Sequence, residues 1–292
     1  MSRIARELWR VVEPYHQLAY RSPEAVEAYT AIGLDRPELQ YFGSRLAALG
    51  PVSLPVAVAV LYGFSPAYVG RAVPEVWERA PAAAISEARA HAAERTLVRI
   101  LGGEASAGSA MARAATLARR AAEAADLPAH PLGAAHAGLA WHDEAHLVVW
   151  HACTILREHR GDAHWVATAA AEIDAVECHL LHAADGAMPA ELLQRVSGWD
   201  DEAWSAAIER LRGRGVLVDD GLALTDEGRA VKLRIEHATD RAAMRPLAAL
   251  GPEGCLELAD LLRPWVRAIS DAGVIGAWTL REQRWRDLPD PA

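Results

Sequence analysis

The densest run of chemistry-bearing side chains is Trp141-His142-Asp143-Glu144-Ala145-His146-Leu147-Val148-Val149-Trp150-His151, continuing through Thr154-Ile155-Leu156-Arg157-Glu158-His159-Arg160-Gly161-Asp162-Ala163-His164. Eight of the chain's 12 histidines fall between His136 and His182. At about 100° per residue, Asp143, His146, Trp150, His151, Thr154, Arg157 and Glu158 share one helix face, opposite Val148, Val149, Ala152, Cys153, Ile155 and Leu156. A polar face is ordinarily a solvated one. This one is built from His, Trp and Thr instead of Glu, Arg and Ala, which suits a half-buried pocket wall.

The run Glu158 to His164 predicts a corner, with the helix broken at Gly161 and restarted by Asp162 as a cap. Such a corner brings together an anion clamp (Arg160), a carboxylate that orients an imidazole (Glu158 or Asp162) and an acid or base (His159 or His164). Glu158, His159, Asp162 and His164 are therefore the catalytic candidates. Tyr41, Arg45, His146, Trp150, Thr154, Arg157 and Arg160 are the ligand-binding candidates, with Tyr62, Ser65 and Arg71 also placed opposite the corner. The plain alternative is a corner network that only fixes a helix angle.

No metal or cofactor is expected. A metal, if one binds, would take His142, His146 and His151, since His142 and His146 stand one turn apart, with His164 or His182 as further ligands. Asp143 stands where the zincin pattern requires Glu. Haem on an axial His is a variant of the same idea. No motif supports a Ser or Cys nucleophile.

The elements that must position these groups are helical almost throughout. Pro14 should kink or end a first helix over residues 2–20. Ser22-Pro23-Glu24 and Ser65-Pro66 are capped starts. Helices follow from Pro37 to Leu49, Ala82 to Leu101 and Ser109 to Ala125, the last two joined by a Gly-rich turn. Leu127 to Gly133 breaks the pattern and marks a boundary, giving regions 1–127, 132–185 and 186–292. In the third region come a short helix from Met188, a helix capped by Asp200, and Val216-Leu217-Val218, Asp219-Asp220-Gly221 and Leu222-Ala223-Leu224-Thr225. These last three predict a strand, a tight turn and a second strand. A helix from Asp226 to Met244 follows, then one through Leu261 to Ile269 and a tail with Trp278 and Trp285. The expected fold is thus mainly α and multi-helical, with a winged helix-turn-helix and its small two-stranded wing in the C-terminal half. Leu46-Ala47-Ala48-Leu49-Gly50-Pro51 recurs as Leu247-Ala248-Ala249-Leu250-Gly251-Pro252, which either marks a tandem pair of such units or repeats an ordinary helix stop.

The chain has 292 residues, enough for one large or two ordinary domains, and a net charge of −9 that repels polyanions as a whole. Lys232 is the sole lysine and asparagine is absent. Cys153, Cys178 and Cys255 form no CxxC pair and suit reduced thiols in a cytoplasmic protein. No signal peptide and no membrane span is expected.

Gly213-Arg214-Gly215-Val216-Leu217, followed by Leu224-Thr225-Asp226-Glu227-Gly228-Arg229, resembles the recognition-helix end, wing and next helix of MarR-type winged-helix regulators. The chain as a whole resembles a family of actinobacterial helix-turn-helix or MarR-like proteins. The likeness runs through Tyr41-Phe42-Gly43-Ser44-Arg45, Phe64-Ser65-Pro66, the Leu156–His164 run and Gly198-Trp199. It implies a DNA-binding ancestry. Trp199-Asp200-Asp201-Glu202 and the tip Asp219-Asp220-Gly221, however, would set carboxylates against phosphates, so DNA is disfavoured. The sequence points first to a small, anionic ligand held in a His/Arg/carboxylate pocket. Second comes an enzyme using that pocket for acid–base, metal or haem-assisted chemistry, and third a MarR-like regulator. Leu256 to Ile269, with Trp265, offers a surface for a homodimer.

Overall fold

The computed structural model describes residues 2–275. Sixteen helices follow one another: α1 (Ser2–Arg21), α2 (Pro23–Ala31), α3 (Pro37–Leu46), α4 (Leu54–Val60), α5 (Pro66–Val69), α6 (Glu75–Arg79), α7 (Ala82–Leu101), α8 (Gly103–Ala107), α9 (Ser109–Glu123), α10 (Pro131–Ala137), α11 (Ala145–Ala170), α12 (Glu177–Ala184), α13 (Ala190–Ser197), α14 (Asp201–Gly213), α15 (Asp226–Leu247) and α16 (Gly251–Asp271). A 3-10 turn, Ala47–Leu49, extends α3. The tail residues Trp278 and Trp285 lie outside the described residues.

Local chemistry explains many of the ends. Ser22, Ser65, Asp200 and Thr225 each accept a backbone N–H from the first turn of the helix they precede. Both copies of the Leu-Ala-Ala-Leu-Gly-Pro echo are helix stops, with Gly50 at φ 81° and Gly251 at φ 69°.

Three expectations are corrected. Helix α1 continues through Pro14: Leu8, Val11, Val12, Tyr15 and Leu18 are all buried, and that burial outweighs the cost of about 3 kcal/mol for an interior proline. Helix α11 runs unbroken through Gly161. A single mid-helix glycine costs only about 1 kcal/mol against alanine, and the buried apolar side of α11 offsets it. The two-stranded wing, and with it the winged helix-turn-helix and its tandem pair, is absent. Among the described residues there is no strand, only one antiparallel bridge, Leu217 to Leu224. Pairing stops there because Val216 N–H turns back to the Leu211 carbonyl, while Thr225 leaves to cap α15. Val216, Leu217 and Leu224 are buried against α14 and α15 and do not extend into solvent.

Three apolar cores form. The first joins α1, α7, α9, α11 and α16, the second lies among α2 to α7 with Leu132, and the third among α12 to α15. On α16, Leu258, Leu262, Val266 and Ile269 face the first core, and Leu256 remains exposed. No single helix among the described residues is long and apolar enough to cross a membrane.

A Cβ added at Gly228 would sit 2.1 Å from the Val216 carbonyl oxygen, a backbone atom that cannot swing away. Gly228→Ala is therefore expected to lower stability by about 1–3 kcal/mol, read as a fall in the urea midpoint with an unchanged slope. Wild-type stability in that variant would show that the bridge region yields freely.

Candidate functional site

Three helices present i, i+3, i+4, i+7 faces to one cleft of about 560 Å³. Helix α1 gives Arg6, Trp9, Arg10 and Glu13; α11 gives Arg157, Arg160, Gly161, His164 and Trp165; α15 gives Arg229, Lys232, Leu233 and Glu236. Tyr41 and Arg45 of α3 close one side, and Leu193, Val196 and Ser197 of α13 close another. The Arg160 guanidinium lies 4.6 Å from the Trp9 ring centroid, and Trp165 stacks on Tyr62 at 5.6 Å. At Gly161 a Cβ would stand 3.6 Å from Arg157 Nη1 and 3.8 Å from Glu158 Oε2, so a small side chain there would rest against this ion pair at ordinary contact distance.

Beneath the cleft lies a buried charge network centred on Glu158. Arg45 Nη2 donates to both of its oxygens (2.9 and 3.3 Å) and Arg157 Nη1 to one (2.7 Å). Arg157 Nε donates to Glu13, whose other oxygen accepts from Gln17. Burial pushes the Glu158 carboxyl upward, but Arg157 and Arg45 outweigh it and hold it well below the usual carboxylate range. His16 is neutral, held well below its ordinary value by burial and then by Arg157. Its tautomer follows from its neighbours. Thr154 donates to the Trp150 carbonyl and so accepts from His16 Nδ1–H, while Nε2 accepts from Tyr20.

Seven cationic side chains line the cleft (Arg6, Arg10, Arg45, Arg157, Arg160, Arg229 and Lys232) with three carboxylates (Glu13, Asp185 and Glu236), and each cation is ion-paired, to one of these three or to Glu7, Glu158, Asp226 or Asp240 outside the lining. His164 and His182 are both pushed down to about 3, first by burial and next by Arg160 and Lys232 respectively. Thr239 donates to the Ile235 carbonyl and accepts from His164 Nδ1–H, which leaves His164 Nε2 as a bare acceptor. His179 Nε2–H donates to the Gly63 carbonyl at 2.6 Å.

Of the residues singled out in the sequence, Tyr41, Arg45, Arg157, Arg160 and His164 meet at the cleft, with Glu158 holding two of them. Thr154 is buried against His16, and Trp150 lies under Arg89, whose guanidinium is 4.7 Å from its ring. His146 lies on the first core's side, near the Ser106 backbone. His159 and Asp162 face α10 instead. Asp162 accepts the Gly133 N–H at 2.9 Å and so caps α10, not its own helix. The conditional metal set does not assemble. His142 stands edge-on to His151 at 5.8 Å between centroids, His151 Nε2 is committed to the His136 carbonyl, and the described residues hold no three-ligand group there.

Sequence reasoning missed Trp9, Arg6, Arg10 and Glu13, although their i, i+3, i+4, i+7 spacing is a visible signal. It missed His16 too, and nothing in its local sequence marks it. Arg89 is also unforeseen. It is 4% exposed, and its Nε and Nη2 have no hydrogen-bond partner.

Among the described residues the fold is built of helices, and its cleft, lined by ion-paired guanidiniums, lies over the buried Glu158 carboxylate. A family model described as a helix-turn-helix family matches residues 5–276, and the chain belongs to that family. No curated protein and no solved structure matches. Helices α13 and α14 are joined by a turn at Gly198. Trp199 Nε1 donates to the Gly63 carbonyl and Ser65 Oγ to the Gly198 carbonyl, which dock this unit on the N-terminal helices.

Two titrations separate by sign. Glu158 is depressed, so its contribution is present above the ordinary carboxylate range and lost as pH falls through its lower value. Asp162 is raised to about 7 by burial, so its contribution is full below an ordinary Asp value and lost as pH rises towards 7. Asp162→Asn keeps an acceptor for Gly133 N–H. Relative to that variant, the wild type is expected to lose stability between about pH 4 and 7, measured by urea unfolding across that range. Parallel profiles would refute the assignment. Glu158→Ala leaves Arg45 and Arg157 without their shared counter-charge and is expected to cost about 3–5 kcal/mol.

Proposed function

We propose that the chain binds a small anionic organic molecule in the cleft between α1, α11, α13 and α15, and that its helix-turn-helix is α13, the Gly198 turn and α14, with α13 serving as a wall of that pocket and α14 not reading DNA. One observation carries the reading: seven cationic side chains line the cleft, while four of the seven carboxylates that pair with them (Glu7, Glu158, Asp226 and Asp240) lie outside its lining, so the wall offered to a guest is rich in donors. Guanidinium and ammonium donors on a semi-enclosed wall favour an anionic guest. Trp9 and Trp165 supply flat apolar area for its body, and the bare His164 Nε2 accepts a hydrogen bond from it.

In the DNA-facing alternative the cations of α14 are ion-paired, as those of the cleft are, and the difference lies in the exposed carboxylates beside them. Arg210 is paired with Asp174 and Glu177, Arg214 with Glu177, and Arg212 with Glu209. Asp200, Asp201 and Glu202 remain at the exposed start of α14. Binding is favoured over carboxylate-based catalysis because Glu158 is already held by two guanidiniums, and His159 and Asp162 point away from the cleft.

A matched pair of fluorescent probes tests the reading: 8-anilinonaphthalene-1-sulfonate and its uncharged relative N-phenyl-1-naphthylamine. The sulfonate is expected to bind one per chain, at least ten-fold tighter than the neutral probe. Gly161→Leu, which fills the floor, and Arg160→Gln are each expected to weaken it by ten-fold or more. Equal affinity for the two probes, or sulfonate binding unchanged in Gly161→Leu, would overturn the proposal.

A further inference from the structure

On the far side of α11 from the cleft, Asp126, His130 and His159 bring two ring nitrogens and a carboxylate oxygen within 4.8 Å of one another. His130 and His159 are buried, and the rings stack with centroids 3.7 Å apart and planes 13° apart. His159 Nε2 stands 3.1 Å from Asp126 Oδ1. That is the separation adopted by two ligands each about 2.1 Å from one ion at roughly a right angle.

The surrounding bonds leave the right atoms free. His130 Nδ1–H donates to the His159 carbonyl at 2.9 Å, which fixes the ring and leaves Nε2 as its ligand atom. Arg245 Nη1 holds Asp126 Oδ2 at 2.7 Å and leaves Oδ1 towards His159. Orienting bonds of this kind are what metal ligands ordinarily carry behind them. The backbone is fixed as well. Gly133 packs so closely on α11 that a Cβ there would lie 3.0 Å from His159 Cα, and Asp162 pins the same turn through Gly133 N–H. His130, which precedes α10, is therefore held against His159 by the fold.

We infer that Asp126, His130 and His159 form a site for a divalent transition-metal ion of Zn²⁺ type, with two imidazoles and one carboxylate as protein ligands. Imidazole with a single carboxylate suits Zn²⁺ and its 3d neighbours and is poor for Ca²⁺ or Mg²⁺, which prefer all-oxygen shells. Three protein ligands leave at least one position for water or a second ligand. Coordination requires the His159–Asp126 hydrogen bond to open, the ion to enter between its two atoms, and the stacked His130 and His159 rings to tilt out of parallel so that both in-plane lone pairs converge on it. The site is separate from the anion cleft, so failure of one reading leaves the other standing.

The test uses the full chain, stripped with chelator, incubated with Zn²⁺ or Co²⁺, desalted and measured for bound metal. The wild type is expected to retain one Zn²⁺ per chain, and its Co²⁺ form to show visible d–d absorption. Both are expected to be lost in His130→Ala and in Asp126→Asn, each with an unchanged circular dichroism spectrum, and kept in the double variant His142→Ala/His146→Ala. If the wild type retains less than about a tenth of an equivalent, or if His130→Ala retains as much as the wild type, the site is refuted. Loss in the His142/His146 variant alone would place the ion elsewhere and refute it equally. Should His130→Ala fail to fold, the Co²⁺ spectrum of Asp126→Asn decides: a spectrum identical to the wild type's refutes the site.

Discussion

The Glu158 carboxylate is the constraint from which the cleft follows. It lies at 1% exposure between guanidiniums from two helices, Arg45 on α3 and Arg157 on α11, and through Arg157 it reaches Glu13 on α1. A buried charge is tolerated only when it is paired and fully hydrogen-bonded. The three helices therefore cannot separate without stranding an ion, and their positions set one rim of the cleft. The same neighbourhood holds Arg45, Arg89 and Arg157 against Glu13 and Glu158. Arg89 is the cation left over, and it rests on the faces of Tyr20 and Trp150 in place of a carboxylate.

Much of the site was legible because α11 is a helix, and much was misread because it was taken to end at Gly161. Along one continuous helix, Arg157, Arg160, Gly161 and His164 fall on one side, while His159 and Asp162 fall roughly opposite. A break at Gly161 would have folded both sets into one corner. The sequence patterns also found the helix caps at Ser22, Ser65 and Asp200, because a cap is a local hydrogen bond; Thr225, expected in a strand, proved to be a fourth. The wing failed for the complementary reason. Whether Val216 to Thr225 extends into strands depends on where its side chains are buried, and burial is set by α14 and α15. His16 was unreadable, since its role rests on Thr154, 138 residues away.

The α13–α14 pair shows the same dependence on distant partners. Read alone, α14 offers Arg210, Arg212 and Arg214 to a phosphate backbone. In the folded chain Arg210 and Arg214 are held by Asp174 and Glu177, and Arg212 by Glu209 on its own helix. Gly198 permits the docking that makes this arrangement rigid. It sits at φ 75°, and a Cβ there would meet Tyr68 Cβ at 2.4 Å. The α13–α14 pair is thereby fixed against the N-terminal helices, while the outer face of α14 stays exposed.

Under the proposed reading, the contrast between a donor-lined cleft and an acidic chain has a kinetic side. From far away an anion meets the field of the whole molecule, which is negative. Close to the mouth it meets guanidinium and ammonium donors, four of whose carboxylate partners lie outside the lining. Such a profile acts as a filter on length. A compact anion crosses the outer barrier once and then sits wholly inside the favourable region. An extended polyanion always keeps most of its charge outside, over the acidic exterior, however well one end fits.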